Sequence, residues 1–284
     1  MLAIVVAACG LDVTGSLASP SGPDDAGLGP PPNDALAADA AADVASRGDA
    51  PGADAHVATY PEVVLADGPI HYWRFEEAAA ATTIADVGQP GGITGQVIGN
   101  VTLGEASAFA SLGKSARFDG NETVGSRIDL GLFHPGDSVT VELWARLDMV
   151  VKSYHSVFAR WDGSYELDVN GATQRANFVA HDDTVPLLLV QSAQDYTRDA
   201  WHHMVGVFGQ GNVTLYLDGV PGSTLPTSGN LRNAGPTPDH VFIGATRLGS
   251  NGGSYNWTGW VDEVAVYAKA LGAADVSRHF AAAR

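Results

Sequence analysis

Beyond residue 59 the chain alternates apolar and polar residues in short runs that end at glycine-containing turns. In the clearest run, Val139–Leu147, every second residue is apolar, and Glu142 and Arg146 stand between them. Period-2 alternation places the apolar residues on one face, so this run predicts a strand packed on a core. Further strands are predicted at residues 70–75, 115–118, 128–130, 156–161, 165–169, 176–180, 186–190, 201–208, 213–217, 241–243 and 261–267.

Turn residues indicate how these strands are joined. Asn170-Gly171 and Asp218-Gly219 are dipeptides that favour tight turns between antiparallel strands. Many short strands with such turns predict an all-β fold, a two-sheet antiparallel β-sandwich or jelly roll. Only residues 273–280 have a helical pattern, which predicts a short C-terminal helix.

The segment before this sandwich has a different composition. Residues 12–58 consist mainly of Ala, Asp, Pro, Gly and Ser, with eight Asp and one Arg. Such a segment cannot bury enough apolar area to offset the loss of chain entropy, and its like charges repel one another. We therefore predict three parts: residues 1–9, a disordered linker at 10–59 and a sandwich domain at 60–284.

The first nine residues resemble the end of a bacterial lipoprotein signal. Residues 2–8 are apolar, and Val6-Ala7-Ala8-Cys9 resembles a lipobox, in which the cysteine receives a diacylglycerol. Even with Met1 counted, eight apolar residues are too few to span a bilayer. We expect lipidation at Cys9, with the linker as a spacer and the domain at the outer membrane or cell surface. The alternative is an apolar N-terminus with an incidental cysteine.

The charge of the chain restricts its partners. The 15 Lys and Arg residues are outnumbered by 32 Asp and Glu residues, which gives a formal charge of -17. This charge repels nucleic acids and anionic lipid surfaces, so membrane contact is expected only through the lipid anchor. Glycans, divalent cations and extracellular or envelope proteins remain as partners.

Six phrases follow one another along the sandwich region: Tyr72-Trp73-Arg74-Phe75-Glu76, residues 116–120 (ARFDG), residues 139–144 (VTVELW), residues 201–205 (WHHMV), residues 215–219 (LYLDG) and residues 259–267 (GWVDEVAVY). In this order they resemble the laminin G-like domains of the concanavalin A-like lectin/glucanase superfamily. The resemblance covers roughly residues 70–283 and implies a concanavalin A-like jelly roll. The large side chains of Trp73, Trp144, Trp201 and Trp257 are expected in the core.

The resemblance also implies a calcium ion in some members. Calcium takes six to eight oxygen ligands, mostly carboxylates and carbonyls. The matching candidates are Glu76 after the first strand, Asp86 in the following loop and Asp262 in the last strand. The alternative is that these are ordinary carboxylates at strand ends and turns.

Some members of the superfamily are glucanases that use carboxylates alternating along one strand. Glu166 and Asp168 begin that pattern, but Asn170 occupies the third position. Asp262 and Glu263 are adjacent and are expected on opposite faces, where they cannot act as a pair. No nucleophile elbow, zinc-protease helix or phosphate-binding loop is present in the sequence. The chain is therefore predicted not to be an enzyme.

Recognition of a ligand is the favoured function. Sugar faces stack on flat aromatic rings, and sugar hydroxyls bind short polar side chains. Candidate contacts in or near turn-rich segments are Trp161, Tyr165, Tyr255, Trp260, His155, Asn177 and Asp182. The leading hypothesis is a surface-anchored module that binds carbohydrate, with a protein-adhesion module and a degenerate glucanase as alternatives.

Overall fold

The computed structural model describes residues 56–148, 152–160, 164–233, 240–246 and 255–284. The predicted anchor Cys9, the linker up to residue 55 and the predicted contact Trp161 lie outside the described residues. The elements are α1 (Tyr60–Ala66), β1 (His71–Trp73), β2 (Thr83–Ile84), β3 (Gly95–Ile98), β4 (Val101–Ala106), a 3-10 turn (Ala110–Leu112), β5 (Lys114–Asp119), β6 (Arg127–Asp129), β7 (Val139–Leu147), β8 (Tyr154–Arg160), β9 (Tyr165–Asn170), β10 (Arg175–Ala180), β11 (Leu188–Gln191), β12 (Trp201–Gly209), β13 (Asn212–Leu217), β14 (Val220–Pro226), β15 (Phe242–Ile243), β16 (Thr258–Tyr267) and α2 (Ala273–Ala282).

These strands form two antiparallel sheets of eight strands each. Sheet A has the order β14-β13-β12-β7-β16-β5-β4, and β1 pairs with the end of β16 that β5 leaves open. Sheet B has the order β11-β10-β9-β8-β15-β6-β3-β2. The predicted two-sheet antiparallel sandwich is confirmed, and the C-terminal helix is present as α2.

Alternation along the strands produces the core between the sheets. On β7, Val141, Leu143 and Ala145 are fully buried and face Leu167 and Phe178 of sheet B in one apolar cluster. Burying a side chain as large as valine, leucine or phenylalanine contributes about 1.5–3 kcal/mol, and burying alanine contributes less. Trp73 and Trp257 also lie in this core, as expected.

The outer face of sheet A carries a second apolar cluster beneath the two helices. Tyr60 and Val64 of α1 and Val276 of α2 are buried there against Trp144, whose ring stacks on Phe280 at 5.9 Å between centroids. Trp144 is therefore buried outside the sandwich rather than between its sheets. Neither helix in the described ranges is long and apolar enough to cross a membrane.

Trp201 differs from the expectation of a core residue. It is the first residue of β12 and only partly buried, because it lies on the outer face of sheet A. Met204 and Phe208 supply the inward side chains of the same strand. The period-2 alternation of β12 places Trp201 on the face opposite to Met204 and Phe208. The expectation of a core position came from the size of its indole ring and was wrong.

The two predicted turns have different outcomes. Asp218-Gly219 is a two-residue turn with φ of 54° and 75°, and the strands pair directly on both sides of it. Asn170-Gly171 joins two antiparallel strands as predicted, but Asn170 ends β9 and the turn to β10 has four residues rather than two. Asn170 Oδ1 accepts hydrogen bonds from the amides of Ala172 and Thr173 and so stabilises this longer turn.

The last strand contains a β-bulge that the sequence pattern did not predict. Pairing between β16 and β7 shifts between Asp262 and Ala265, and Glu263 has a φ of 52°. A bulge breaks the alternation of faces. Asp262 and Glu263 therefore do not point to opposite faces as expected: Asp262 pairs with Trp144, and Glu263 accepts from Tyr72, both of the outer cluster of sheet A. Burial and the charge of Glu263 raise the pKa of Asp262 well above its usual range.

Candidate functional site

Strands β8 to β11 present a line of polar side chains on the face of sheet B that points away from the core. Asp168 lies opposite Ser156 on one side and Asn177 on the other, and Asn177 lies opposite Gln191. Residues in register on neighbouring strands share a face, so these four form one line across the sheet, which we call the polar row.

Hydrogen bonds connect the polar row. Asn177 Nδ2 donates to Asp168 Oδ1 over 2.8 Å, and Gln191 Nε2 donates to Asn177 Oδ1 over 2.9 Å. Asp168, Asn177 and Gln191 are therefore ordered by hydrogen bonds within the row. Ser156, at the other end, has a buried hydroxyl that makes no hydrogen bond within the described ranges.

A depression of about 320 Å³ lies over part of this row. Its volume is at the lower end of the usual range for small-molecule sites, about 300–1,000 Å³. Glu166 and Asp168 of β9 are two residues apart and place two carboxyl groups on its floor. The lining residues are Tyr154, Glu166, Asp168, Val179, Leu187, Leu189 and Tyr255.

Two tyrosine rings form one wall of the depression. Tyr154 and Tyr255 meet edge to face, with centroids 5.5 Å apart and planes at 84°. The carbonyl of Tyr255 accepts a hydrogen bond from the amide of Ser156 over 2.7 Å, which fixes this loop to β8. The remaining wall is apolar, and the side chain of Leu187 is 57% exposed. Flat rings beside hydrogen-bonding groups suit a ligand with both apolar faces and hydroxyls.

The electrostatics of the floor favour a protonated carboxyl group. Burial, and then the charge of Glu166, raise the pKa of Asp168 well above its usual range, although the hydrogen bond from Asn177 opposes this. A carboxyl group that keeps its proton can donate a hydrogen bond through that proton as well as accept one. In its protonated form Asp168 would offer a donor to a polar ligand, beside the acceptor oxygens of the floor.

Some predicted ligand contacts lie at this site and others do not. Tyr255 lines the depression, whereas Asn177 is fully buried and does not line it, although its amide donates to Asp168 on the floor. Tyr165 does not reach the surface, because its position on β9 points into the core, where its ring stacks on Phe158 at 6.1 Å. The expectation of a surface contact at Tyr165 does not match its burial.

His155 and Asp182 are also buried. The ring of His155 lies 6.5 Å from that of Trp257, and burial together with the charge of Lys152 lowers its pKa to about 4. Asp182 accepts hydrogen bonds from Thr184, Val185 and Thr227. Although burial opposes ionisation, these bonds lower the pKa of Asp182 to about 2. Asp182 therefore fixes a loop.

Trp260 lies away from the depression, on the outer face of sheet A. Its ring is partly buried between two guanidinium groups, with Arg146 Cζ at 4.4 Å and Arg117 Cζ at 5.1 Å from the ring centroid. The aromatic residues predicted as ligand contacts are thus divided between the two sheets.

The first predicted calcium ligand, Asp86, is engaged by protein donors. One oxygen accepts from the amides of Tyr72 and Gly88, and the other accepts from His71 Nδ1 and the amide of Ile93, over 2.7–2.9 Å. Burial alone would raise the pKa of Asp86, but these hydrogen bonds lower it. The carboxylate organises the loop between β2 and β3.

The other two predicted ligands also have protein partners. Asp262 accepts from Ser107 Oγ and from the amide of Glu263, and Glu76 accepts from Arg74 over 3.4 Å. Across the part of the chain that the structure describes, no group of three or more His, Cys, Asp or Glu side chains is arranged to hold a metal ion. The three predicted carboxylates do not fit one shared calcium site.

Several residues of the site were not identified from the sequence. Tyr154 and Ser156 share a face of β8 with alternating polarity, which could have indicated their orientation. A strand was predicted at residues 186–190, but not that β11 lies at the edge of sheet B, with Leu189 exposed on the strand and Leu187 exposed just before it. Gln191 ends that strand, and nothing in the local pattern marks it as part of the site.

Comparisons with known proteins agree with this architecture. The laminin G-like family model, described as the concanavalin A-like lectin/glucanases superfamily, matches residues 119–277. No curated protein sequence matches the chain.

Solved structures show the fold at low sequence identity. Domain 4 of the arabinanase AbnA from Geobacillus stearothermophilus, in complex with arabinotriose, is 15% identical with a TM-score of 0.55, over 74% of this chain and 97% of that domain. The binding domain of Paraclostridial Mosquitocidal Protein 1 is 15% identical with a TM-score of 0.56, over 76% of this chain and 52% of that one.

A third similar structure is the Trypanosoma rangeli sialidase in complex with sialic acid, which is 18% identical with a TM-score of 0.52, over 75% of this chain and 32% of that one. This chain therefore spans about a third of the sialidase and about half of the mosquitocidal fragment. The family model covers more than half of the chain. The two antiparallel sheets of the chain form the sandwich that membership of this superfamily implies. The chain belongs to the concanavalin A-like lectin/glucanase superfamily.

Proposed function

We propose that this chain is a non-catalytic recognition module that binds carbohydrate in the depression on sheet B. The observation that carries the proposal is the pairing of two tyrosine rings, Tyr154 and Tyr255, with the polar row containing Asp168. A sugar ring has apolar C–H faces and a rim of hydroxyls, so it matches rings on one side and hydrogen-bonding groups on the other.

The comparisons support this proposal at the level of the superfamily. Members of a lectin/glucanase superfamily share a fold on which sugar sites are built, although fold alone does not assign a ligand. The similar arabinanase domain holds arabinotriose, and other similar structures are described as binding domains. The ligand of this chain is proposed from its own depression.

Binding without catalysis follows from the third position of β9. A retaining glycosidase needs two carboxyl groups about 5–5.5 Å apart on either side of the bond that is cleaved. In the glucanase pattern that the resemblance implies, the two groups stand at the first and third positions of the strand, with a further acid between them. Here Glu166 holds the first position, but Asn170 holds the third and its side chain is used in the turn. Hydrolysis of β-glucans that is lost in Glu166→Gln would contradict this part of the proposal.

The direct test is a glycan array probed with the full chain and its variants. We expect binding to neutral oligosaccharides that is lost in Tyr255→Ala and retained in Tyr255→Phe, because the ring supplies the contact. Leu187→Ala should weaken binding, whereas Leu132→Ala, with a side chain of similar exposure (54% against 57%), should not. A correctly folded protein that binds no glycan would overturn carbohydrate binding and favour the protein-adhesion alternative.

Calcium and the lipid anchor remain separate predictions. The array is read with calcium and with a chelator, since the resemblance implies the ion in some relatives.

We also propose that lipid on Cys9 anchors the domain at the cell envelope, with the acidic linker as a spacer. Metabolic labelling with a palmitate analogue should be lost in Cys9→Ser, and equal labelling of that variant would contradict the anchor.

A further inference from the structure

Four side chains alternate between arginine and tryptophan across the outer face of sheet A. Trp260 of β16 lies opposite Arg117 of β5 and Arg146 of β7, and Arg146 lies opposite Trp201 of β12. All four positions are partly exposed. We call this line the Arg–Trp row. It crosses four neighbouring strands on the sheet opposite to the depression.

The arginines of this row are held by Trp260. Their Cζ atoms lie 4.4 Å and 5.1 Å from the centroid of its ring, which are cation–π distances. A guanidinium held over an aromatic ring keeps a fixed orientation, and its N–H groups lie in its own plane, where an acceptor can approach. The row thus presents two oriented cationic groups.

The two arginines differ in their partners. Arg117 has a side-chain exposure of 42%, and its contact with Asp148 is 3.5 Å long. Arg146 forms no ion pair within the described ranges, and its Nε is buried without a hydrogen-bond partner. A buried donor without an acceptor costs about 1–3 kcal/mol, more if it is charged. Because Nε is buried, a ligand would bind Arg146 through the two terminal nitrogens of its guanidinium group, which are not among the buried atoms without a partner.

The charge and spacing of the row indicate the class of ligand. The chain has a formal charge of -17, so carboxylates outnumber cationic side chains. An arginine without a carboxylate partner is therefore not explained by the general surface charge. Guanidinium groups bind carboxylate and sulfate through two parallel hydrogen bonds. Arg117 and Arg146 are separated by one strand, so their backbones are about 9–10 Å apart. Two anionic groups on one extended chain can bridge this distance.

We propose that the Arg–Trp row is a second binding site, which takes an anionic polysaccharide with its carboxylate or sulfate groups on Arg146 and Arg117. Trp201 lies at the end of the row and offers an indole to a neighbouring sugar ring. This site goes beyond the proposed function, because it lies on the other sheet and recognises charge. Its ligand is distinguished from a neutral glycan by its anionic groups.

The test measures the affinity of the full chain for two anionic probes and one neutral probe. Polygalacturonate carries carboxylates, dextran sulfate carries sulfates, and unmodified dextran carries neither. We expect binding to at least one anionic probe that weakens with added salt, and a smaller affinity for dextran. Arg146→Gln should weaken anionic binding about tenfold, equivalent to about 1.4 kcal/mol. Arg146→Lys should recover only part of it, because a lysine lacks the two-pronged geometry.

The controls separate this site from general charge and from the depression. Arg175→Gln removes an arginine of similar exposure (33%) from sheet B and should leave anionic binding unchanged. Arg117→Gln provides a second variant of the row if Arg146→Gln does not fold. Tyr255→Ala should affect neutral glycans only. Absence of binding to both anionic probes, unchanged binding in folded variants of both row arginines, or an equal loss in Arg175→Gln would overturn the proposal.

Discussion

His279 and Glu142 form a buried ion pair that joins the C-terminal helix to sheet A. His279 Nδ1 lies 2.9 Å from Glu142 Oε2, and His279 Nε2 lies 2.7 Å from Asp67 Oδ2 at the end of α1. Carboxylates only accept hydrogen bonds, so both ring nitrogens donate and the imidazole is cationic. Although burial lowers the pKa of His279, the contacts with Glu142 and Asp67 outweigh it and raise the pKa above its usual value.

This pair makes stability depend on pH in a defined direction. A histidine whose pKa is raised on folding stabilises the protein fully below its unfolded pKa of about 6.5, and the contribution is lost as pH rises through the folded value. We expect the Tm to fall as pH rises above about 6.5, and this decline to be smaller in His279→Gln than in the unaltered protein. Thermal unfolding monitored by circular dichroism from pH 5 to pH 9 measures it.

The matched control is His240→Gln. His240 pairs with Asp129 on sheet B, and its side chain is 37% exposed, so solvent weakens the pair. Its variant should keep the pH profile of the unaltered protein. Parallel profiles for His279→Gln and the unaltered protein would contradict the assignment of the alkaline decline to His279.

Glu142 is the acceptor on which this cluster depends. Its carboxylate is fully buried and accepts from Tyr60, Tyr267, His203 and His279. Burial would raise the pKa of Glu142, but the hydrogen bonds from the two histidines outweigh it and lower the pKa. Stability from this group is therefore complete above about pH 4.5 and is lost as pH falls towards the folded pKa.

We predict that Glu142→Gln destabilises the domain by about 3–5 kcal/mol, because it takes from the buried His279 cation one of its two carboxylate partners, with only Asp67 left to it. Urea unfolding at pH 6 gives the change in free energy. Glu105→Gln on β4, a carboxylate whose removal breaks no such cluster, should shift it by less than about 0.5 kcal/mol. A similar small shift for both variants would show that the ion pair adds little to stability.

The sequence determined the strands better than the site. β7 was predicted from alternation alone, with the bounds that the structure shows, because its apolar face is regular from Val139 to Leu147. β14 escaped prediction because it is an exposed edge strand that contains Pro221 and Gly222. α1 is seven residues long and packs through Tyr60 and Val64, too few positions for a helical period.

The site could be predicted only in part because it depends on register. Asn177 and Tyr255 were identified as side chains suited to sugars, but the sequence did not show that a single line connects Asn177 to Asp168. Pairing between strands distant in the chain decides which side chains share a face. The bulge at Asp262 and Glu263 also prevented a correct prediction of faces, since one extra residue changes the orientation of the residues that follow.

Asp168→Asn should stabilise the protein at neutral pH. The folded state holds the proton of Asp168 more tightly than the unfolded state does, since burial and Glu166 raise its pKa. Stability therefore falls as pH rises from the unfolded pKa of about 3.9 through the folded value. Asparagine removes this dependence and can still accept from Asn177. We expect a gain on the order of 1 kcal/mol at pH 8 and none at pH 3.

Asp182→Asn is the control for this prediction, because the same substitution should act in the opposite direction. Hydrogen bonds lower the pKa of Asp182 to about 2 despite its burial, so its charge stabilises the folded state above its unfolded pKa. Its asparagine variant should lower the Tm at pH 8. If Asp168→Asn also lowers the Tm at pH 8, the carboxyl group of Asp168 stabilises the fold and its proposed protonation is wrong.

Gly259 connects the stability of sheet A to the Arg–Trp row. It precedes Trp260 with a φ of 145°, and a Cβ at this position would lie 2.0 Å from the carbonyl oxygen of Arg146. Gly259→Ala must therefore separate β16 from β7 at the place where Trp260 meets Arg146. Backbone strain costs about 1–3 kcal/mol, and the displaced strands add to it.

We expect Gly259→Ala to lower the free energy of unfolding by more than about 3 kcal/mol and to weaken binding of the anionic probe. Gly131→Ala is the control, because Gly131 also has a positive φ, 70°, but a Cβ there would meet nothing within 4 Å. That variant should lose only about 1–2 kcal/mol and keep the anionic affinity. Equal losses of stability in the two variants would mean that the positive φ alone explains why glycine is required at position 259. The close approach of the strands would then not be what positions Trp260 between its arginines.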